Sequence, residues 1–230
     1  MRRLHFMPLS PSSRTARIAL VEKRLEFTLV PERGWDLPDA FFDLNPAGTL
    51  PVLVEEHGHA IPGALVIGEY LDEAYPAGES ADGSRPNLLP TGTAERVEVR
   101  RLAHWFEIKF AGEVSDHLVY EKIDKRFMGA GAPDMDIVRQ ALKALRPHLV
   151  YLNFLVDERR WLAGDSFTFA DMAAAAQLSA LDYMGDIPWH DFEAAKLWYA
   201  RVKSRPSFRP LLGDHIAGMP PPRHYADLDF

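Results

Sequence analysis

The pattern of hydrophobic and polar positions divides the chain into two unlike parts. Over the first 77 residues, short apolar runs alternate with segments of helical spacing. Strands are predicted at residues 4–7, 27–30, 51–55 and 60–61, and helices at residues 14–22 and 64–75. Prolines at positions 31, 62 and 76 end three of these elements. This order predicts a small mixed α/β domain over residues 1–77.

The apolar pattern is helical throughout the second part. Residues 78–90 have the composition of a linker, and residues 91–217 are predicted to form an all-helical domain. Two apolar stripes at three- and four-residue steps comprise Ala103, Phe106, Phe110, Val114 and Leu118, and then Ile137, Ala141, Leu145, Leu149, Leu152 and Val156. Pro147 lies inside the second stripe and predicts a kink or a break into two helices. Thr168 and Asp171 have the spacing of a capping box, and a last helix is predicted over residues 192–203.

The last segment, residues 218–230, has a different character. Three consecutive prolines favour an extended chain, and the final residues alternate between apolar and acidic side chains. Such a segment can dock on a partner, or it can pack against its own domain, and the sequence leaves both alternatives open. In the first case the residues predicted to contact a partner protein are Tyr225, Asp227, Leu228, Asp229 and Phe230.

Composition and charge narrow the classes of function. The chain has 230 residues and a formal net charge of -7, which argues against nucleic-acid binding because that binding relies on clustered lysine and arginine. It contains no cysteine, so disulfides, thiolate metal sites and a cysteine nucleophile are excluded, and no metal site is predicted. Basic residues such as Arg100 and Arg101 alternate with Glu98 and Glu107, which indicates a solvated helix face. Without a signal peptide or a long apolar run, we expect a cytoplasmic protein that does not insert into membranes.

Four local segments resemble the glutathione transferase superfamily, and the resemblance extends over almost the whole chain. They are residues 10–17 (SPSSRTAR), 45–53 (NPAGTLPVL), 65–73 (LVIGEYLDE) and 162–171 (LAGDSFTFAD). The resemblance implies a thioredoxin-like N-terminal domain followed by an all-helical C-terminal domain.

The resemblance also implies a glutathione site. The first segment would supply Ser10, whose hydroxyl would donate to the glutathione sulfur, and would place Arg17 in the same site. The second would supply a cis-proline, Pro51, with the backbone of Leu50 facing the cysteinyl part of glutathione. Ser10 has a simpler interpretation as a helix cap or turn residue.

The chain departs from the superfamily pattern just before the third helix of the first domain. Members usually carry Glu-Ser or Gln-Ser there to hold the γ-glutamyl group, whereas this chain has Gly63 and Ala64. A hydrogen bond to a charged group contributes roughly 1.5–3 kcal/mol, so losing two would weaken binding about a hundredfold or more. The sequence therefore predicts the fold without the activity, and no bound cofactor.

Within the superfamily, the chain is most similar to a non-catalytic bacterial regulator that binds the tubulin-like division protein FtsZ. That similarity implies an adaptor that binds FtsZ filaments at the division site and regulates cell division and septal wall synthesis. Because superfamily members commonly dimerise through the first helices of the helical domain, we expect a homodimer with Ala103, Phe106 and Phe110 at its interface. The alternatives are a glutathione-dependent transferase or isomerase using Ser10, and a domain that binds another small anion.

Overall fold

The N-terminal domain is a four-stranded mixed sheet with two helices. The computed structural model describes residues 1–79, 83 and 85–228, so that part of the predicted linker, together with Asp229 and Phe230, lies outside the described residues. The elements are β1 (Arg2–Phe6), α1 (Pro11–Glu22), β2 (Phe27–Pro31), β3 (Val52–Val54), β4 (Ala60–Pro62) and α2 (Ala64–Ala74). The sheet has the order β2-β1-β3-β4, with β2 parallel to β1, and both β1–β3 and β3–β4 antiparallel. Strand β2 includes Pro31, which the sequence pattern placed after the strand.

The C-terminal domain consists of helices. Helix α3 (Thr93–His104) continues as one helical segment to Met128, through π-helical stretches at Trp105–Ser115 and Tyr120–Asp124. We call this segment the 93–128 helix. It is followed by α4 (Met135–Glu158), α5 (Phe169–Tyr183), α6 (Glu193–Lys203) and the short α7 (Arg209–Leu212). None of the helices in the described ranges is long and apolar enough to cross a membrane.

Two local predictions can be compared directly with these helices. Helix α4 contains Pro147 and runs unbroken, so the alternative of two separate helices is wrong. The capping box is confirmed, because the Asp171 carboxylate accepts the backbone N–H of Thr168 at 3.0 Å. The same carboxylate also accepts the indole N–H of Trp198 and the backbone N–H of Leu162, so it fixes three segments of the helical domain.

The two domains share one hydrophobic core. Buried side chains form a continuous cluster from Leu4 in β1 to Tyr225 near the C-terminus, and α1 packs along α5. Helix α2 approaches the start of α5 so closely that a Cβ atom on Gly68 would lie 2.5 Å from the ring of Phe169. A side chain there would push the helices apart, so glycine is required by packing.

The predicted dimer residues belong to this core. Ala103, Phe106 and Phe110 are buried inside the single chain, with the two phenylalanines fully inaccessible. They cannot contact a second copy, and the prediction that placed them at a dimer interface is wrong. The stripe they form faces α5 and the N-terminal domain, since an apolar stripe first covers the nearest apolar surface of its own chain.

Candidate functional site

A cleft of about 520 Å³ lies between the two domains. The N-terminal domain contributes the loop after β1, a glycine of the loop after β2 and the end of the loop before β3, while the 93–128 helix forms the opposite wall. The lining residues are Met7, Ser10, Pro11, Gly34, Thr49, Leu50, Asp116, His117, Val119, Tyr120 and Asp124. A second cavity of about 260 Å³ shares Leu50 with the cleft and reaches Ser12, Gly63, Ala64 and Glu107.

Ser10 lies at the N-terminus of α1, at the edge of the cleft. Its side-chain oxygen accepts the backbone N–H of Ser13 at 3.3 Å, which makes it the N-cap of the helix. A hydroxyl oxygen that accepts one bond can still donate its own hydrogen, so the cap leaves Ser10 able to donate to a ligand in the cleft. The interpretation of Ser10 as a helix cap is thus confirmed, and its hydrogen bond to a ligand sulfur stays a prediction.

The loop before β3 has the geometry that the resemblance implied. The Leu50–Pro51 peptide bond is cis, and the carbonyl oxygen of Pro51 accepts the backbone N–H of Gly63 at 2.9 Å. Leu50 lines both the cleft and the second cavity. This loop therefore lies between the start of α1 and the start of α2. The predicted residues Ser10, Leu50, Gly63 and Ala64 thus lie along one surface.

Arg17 lies outside this surface. Its guanidinium bonds the Asp214 carboxylate at 2.7 Å and sits over the ring of Phe6, and the side chain is buried. Including Arg17 in the vestigial glutathione site was therefore wrong. The turn of α1 directs Arg17 toward residues 213–228, which follow α7 and which we call the C-terminal segment. There Asp214, 197 residues away, pairs with the guanidinium.

The start of α2 carries no side chain that could hold a charged ligand. Gly63 is the N-cap residue and makes no side-chain hydrogen bond, and Ala64 is the first helical residue. The φ angle of Gly63 is +85°, a conformation in which residues with a side chain are strained. The backbone at this position thus favours glycine, and its conformation disfavours the glutamate or glutamine that the superfamily usually has there.

Acidic groups from the helical domain face the site, and the sequence pattern did not predict them. Glu107, which we expected on a solvated face, is buried and accepts hydroxyl hydrogens from Ser12 at 2.6 Å and Thr15 at 2.5 Å. Burial raises the pKa of Glu107 above its ordinary value. No cation pairs with Glu107 within the described part of the chain.

Asp124 is a second acid that pairs with no cation among the described residues. It lines the cleft, its Oδ1 atom is buried and makes no hydrogen bond to any described residue, and burial raises the pKa of its carboxyl to about 6. Asp116 lies on the same wall. Above pH 6 this wall is negatively charged, and an anionic ligand such as glutathione gains no favourable charge from it. The residues present therefore fit the glutathione carboxylates poorly.

The predicted partner-binding tail is only partly available to a partner. Tyr225 is fully buried, and its hydroxyl lies 2.9 Å from the Arg14 guanidinium, so the prediction that it contacts a partner is wrong. The segment packs against its own domain, as the second sequence alternative held, with a 3₁₀ turn at Arg223–Tyr225. Asp227 is exposed and Leu228 is half-buried, whereas Asp229 and Phe230 lie outside the described residues.

Comparison with known proteins identifies the family. Residues 9–74 match the model of the glutathione S-transferase N-terminal domain, and residues 128–206 match that of the C-terminal domain. The chain belongs to the glutathione S-transferase family. The expected fold, a thioredoxin-like domain followed by a helical domain, is therefore confirmed.

Individual relatives cover the whole chain. It is 47% identical over its full length to FtsZ-localized protein A of Caulobacter vibrioides, of which it covers 98%, and 32% identical to glutathione S-transferase 3 of Zea mays, with 96% of each covered. Among solved structures, a glutathione S-transferase from Rhodospirillum rubrum has 50% identity and a TM-score of 0.94, with 100% of each chain covered. FzlA from C. crescentus has 48% identity and a TM-score of 0.92, with coverage of 100% of this chain and 99% of that one.

Proposed function

We propose that this member of the glutathione S-transferase family is an adaptor that binds FtsZ filaments and regulates bacterial cell division and septal wall synthesis. The observation that carries the proposal is the 47% identity to FtsZ-localized protein A, which extends over all of this chain and 98% of the relative. In this role the protein is cytoplasmic, is recruited to the division site and needs no cofactor.

The cleft supports a function without glutathione. The start of α2 offers Gly63 and Ala64 in place of two polar side chains, and the opposite wall carries Asp124 without a counter-ion in the described residues. Each feature lowers affinity for an anion bearing two carboxylates. An adaptor that uses its surface does not depend on this site.

The residues after the buried Tyr225 are the proposed partner-contact segment. The 3₁₀ turn ends at Tyr225, and the chain then passes Asp227 and Leu228 at the surface before residues 229 and 230. Anchoring a short segment before it meets its partner lowers the conformational entropy lost on binding. The acidic and apolar side chains of residues 227–230 are the proposed contacts with FtsZ.

A homodimer is part of the proposal, with an interface different from the one expected from the sequence. Large apolar side chains are exposed on the 93–128 helix and on α4, namely Val97, Ile108, Val150 and Phe154. The two helices touch through Trp105 and Tyr151, whose ring centroids are 4.8 Å apart. Burying these side chains against a second copy would present two partner-contact segments to one filament and raise avidity. Phe154→Glu should then lower the sedimentation coefficient from the value of a dimer to that of a monomer.

Co-sedimentation with FtsZ polymers tests the proposed function. Wild-type protein should pellet with the polymers, and a variant lacking residues 226–230 should stay in the supernatant while its melting temperature is unchanged, because Tyr225 remains. The matched control is the double variant Asp157→Asn, Glu158→Gln, which also removes two negative charges, from exposed positions at the end of α4. Wild-type protein that fails to pellet would refute the proposal, and a truncated variant that pellets normally would refute the contact segment.

The second candidate is a glutathione-dependent transferase or isomerase. It is favoured by the position of Ser10 at both the cleft and the N-terminus of α1, where a thiolate would be stabilised. Calorimetric titration with reduced glutathione up to several millimolar decides between the candidates. Binding that Ser10→Ala abolishes would favour the enzyme, and the absence of heat would favour the adaptor.

A further inference from the structure

The C-terminal segment is held by a few specific hydrogen bonds. The Tyr183 hydroxyl donates to the carbonyl oxygen of Met219 and accepts the backbone N–H of Ile216, both at 2.8 Å. Further along, the Tyr225 ring packs edge-on against Tyr183 with centroids 5.2 Å apart, and the Tyr225 hydroxyl donates to the carbonyl oxygen of Leu211. Two tyrosines therefore fix two successive parts of the segment.

Only one of these tyrosines reaches the interior cation Arg14. The Arg14 side chain is fully buried, and each of its three guanidinium nitrogens has a described acceptor. They are the carbonyl oxygen of Pro8 at 2.8 Å, the hydroxyls of Ser179 at 2.8 Å and Tyr225 at 2.9 Å, and the carboxylate of Asp214 at 3.1 Å. Because a buried guanidinium stays charged, its position depends on keeping these acceptors.

The carbonyl of Pro8 belongs to the loop that forms the edge of the cleft. Met7 and Ser10, on either side of it, both line the cleft. Backbone hydrogen bonds within this loop run from the Ser10 N–H to the Met7 carbonyl and from the Arg14 N–H to the Ser10 carbonyl, while the Met7 N–H donates to the Ser13 hydroxyl. The amides of residues 7–14 therefore report whether the cleft edge is ordered.

We propose that Arg14 couples the docking of the C-terminal segment to the order of the cleft edge. When Tyr225 is in place, its hydroxyl helps hold the guanidinium against the Pro8 carbonyl. When the segment detaches, Arg14 loses an acceptor and gains access to water, and its bond to Pro8 weakens. Since coupling between two sites is reciprocal, a ligand that orders the cleft edge also strengthens docking of the segment. This coupling does not depend on which partner or ligand the protein takes.

Hydrogen exchange of the full-length protein, followed by mass spectrometry, tests the coupling. Tyr225→Phe removes the hydroxyl and keeps the ring, so the segment stays packed while Arg14 loses one of its four acceptors. Peptides covering residues 7–14 should exchange about 10- to 150-fold faster than in the wild type, as expected for the loss of one hydrogen bond to a charged group. The matched control is Tyr183→Phe, which removes the α5 hydroxyl that bonds Ile216 and Met219 of the segment but does not contact Arg14. It should speed exchange in peptides that contain residues 216–219 and leave residues 7–14 unchanged.

Three outcomes would overturn the proposal. The first is faster exchange in Tyr225→Phe confined to residues 211–228, with residues 7–14 unchanged. The second is equal acceleration of residues 7–14 by Tyr183→Phe. The third is uniform acceleration over the chain, including the interior of α4, which would indicate a global loss of stability. The variant lacking residues 226–230 keeps Tyr225 and should leave residues 7–14 unchanged, which separates this coupling from any loss of FtsZ binding.

Discussion

Restoring one lost side chain at the start of α2 should recover part of a glutathione site. Ala64 is the first residue of α2 and lines the cavity next to Ser12 and Glu107. In Ala64→Ser, the new hydroxyl can donate to a ligand carboxylate, and such a bond contributes roughly 1.5–3 kcal/mol. Affinity for reduced glutathione should therefore rise by about 10- to 150-fold.

The neighbouring position should behave differently because of its backbone. At Gly63 the φ angle is +85°, and holding a residue with a side chain there costs about 1–3 kcal/mol. In free Gly63→Glu the loop should relax from this conformation, so binding would have to restore the strained backbone and the gain of a polar partner would be offset. Its affinity should therefore stay near that of the wild type. Calorimetric titration would compare both variants with Ala94→Ser, the same substitution in the first turn of α3, away from the cleft. No gain in Ala64→Ser, or an equal gain in Gly63→Glu, would refute this reasoning.

Three further predictions concern buried acids, two at the site and one in the helical domain. Burial raises the pKa of Glu107 in the folded state, so the folded protein loses stability as the pH rises through this raised pKa. Glu107→Gln should therefore raise the melting temperature at pH 7.5, and its difference from the wild type should narrow toward pH 4. Burial raises the pKa of Asp124 to about 6, so stability is lost as the pH rises from about 4 to about 6. Asp124→Asn should therefore raise the melting temperature at pH 7.5 and leave it unchanged at pH 4, with Asp157→Asn at an exposed position as the matched control. In Asp171→Asn one buried acceptor becomes a donor, which should cost about 2–3 kcal/mol and lower the melting temperature by roughly 5–10 °C in a thermal scan; an unchanged melting temperature would contradict the proposed role of the carboxylate.

Local signals in the sequence were sufficient for the fold. Strands and helices were found because apolar spacing and prolines act on neighbouring residues, and the capping box because its two partners, Thr168 and Asp171, are three positions apart. The cis bond before Pro51 was inferred from the resemblance, since no local pattern distinguishes it from a trans bond. The placement of Gly63 and Ala64 at the site likewise came from the resemblance.

The contacts that define the site depend on partners far along the chain. Glu107 is buried against Thr15, 92 residues away, and no spacing within the 93–128 helix distinguishes it from Glu98, which is half-buried and paired with arginines. An apolar stripe such as that of Phe106 and Phe110 can face a second copy or its own chain, and periodicity alone cannot decide between the two. Tyr225 in the tail was likewise ambiguous until its distant partner Arg14 was known.

Two deficits, one in the cleft and one in the second cavity beside it, act independently against glutathione. The start of α2 has no side chain that can hold its carboxylates. The opposite wall has the half-buried Asp124 with no cation of the described residues beside it, whereas the half-buried Asp72 and Asp186 are each paired with a lysine. A glutathione-dependent enzyme would have to recover the affinity lost to both deficits, and only Ser10 and the dipole of α1 are left to supply it among the predicted site residues. An FtsZ-binding adaptor has nothing to compensate for, because its proposed contacts lie on the anchored C-terminal segment. The balance of physical terms therefore agrees with the whole-length similarity to FtsZ-localized protein A.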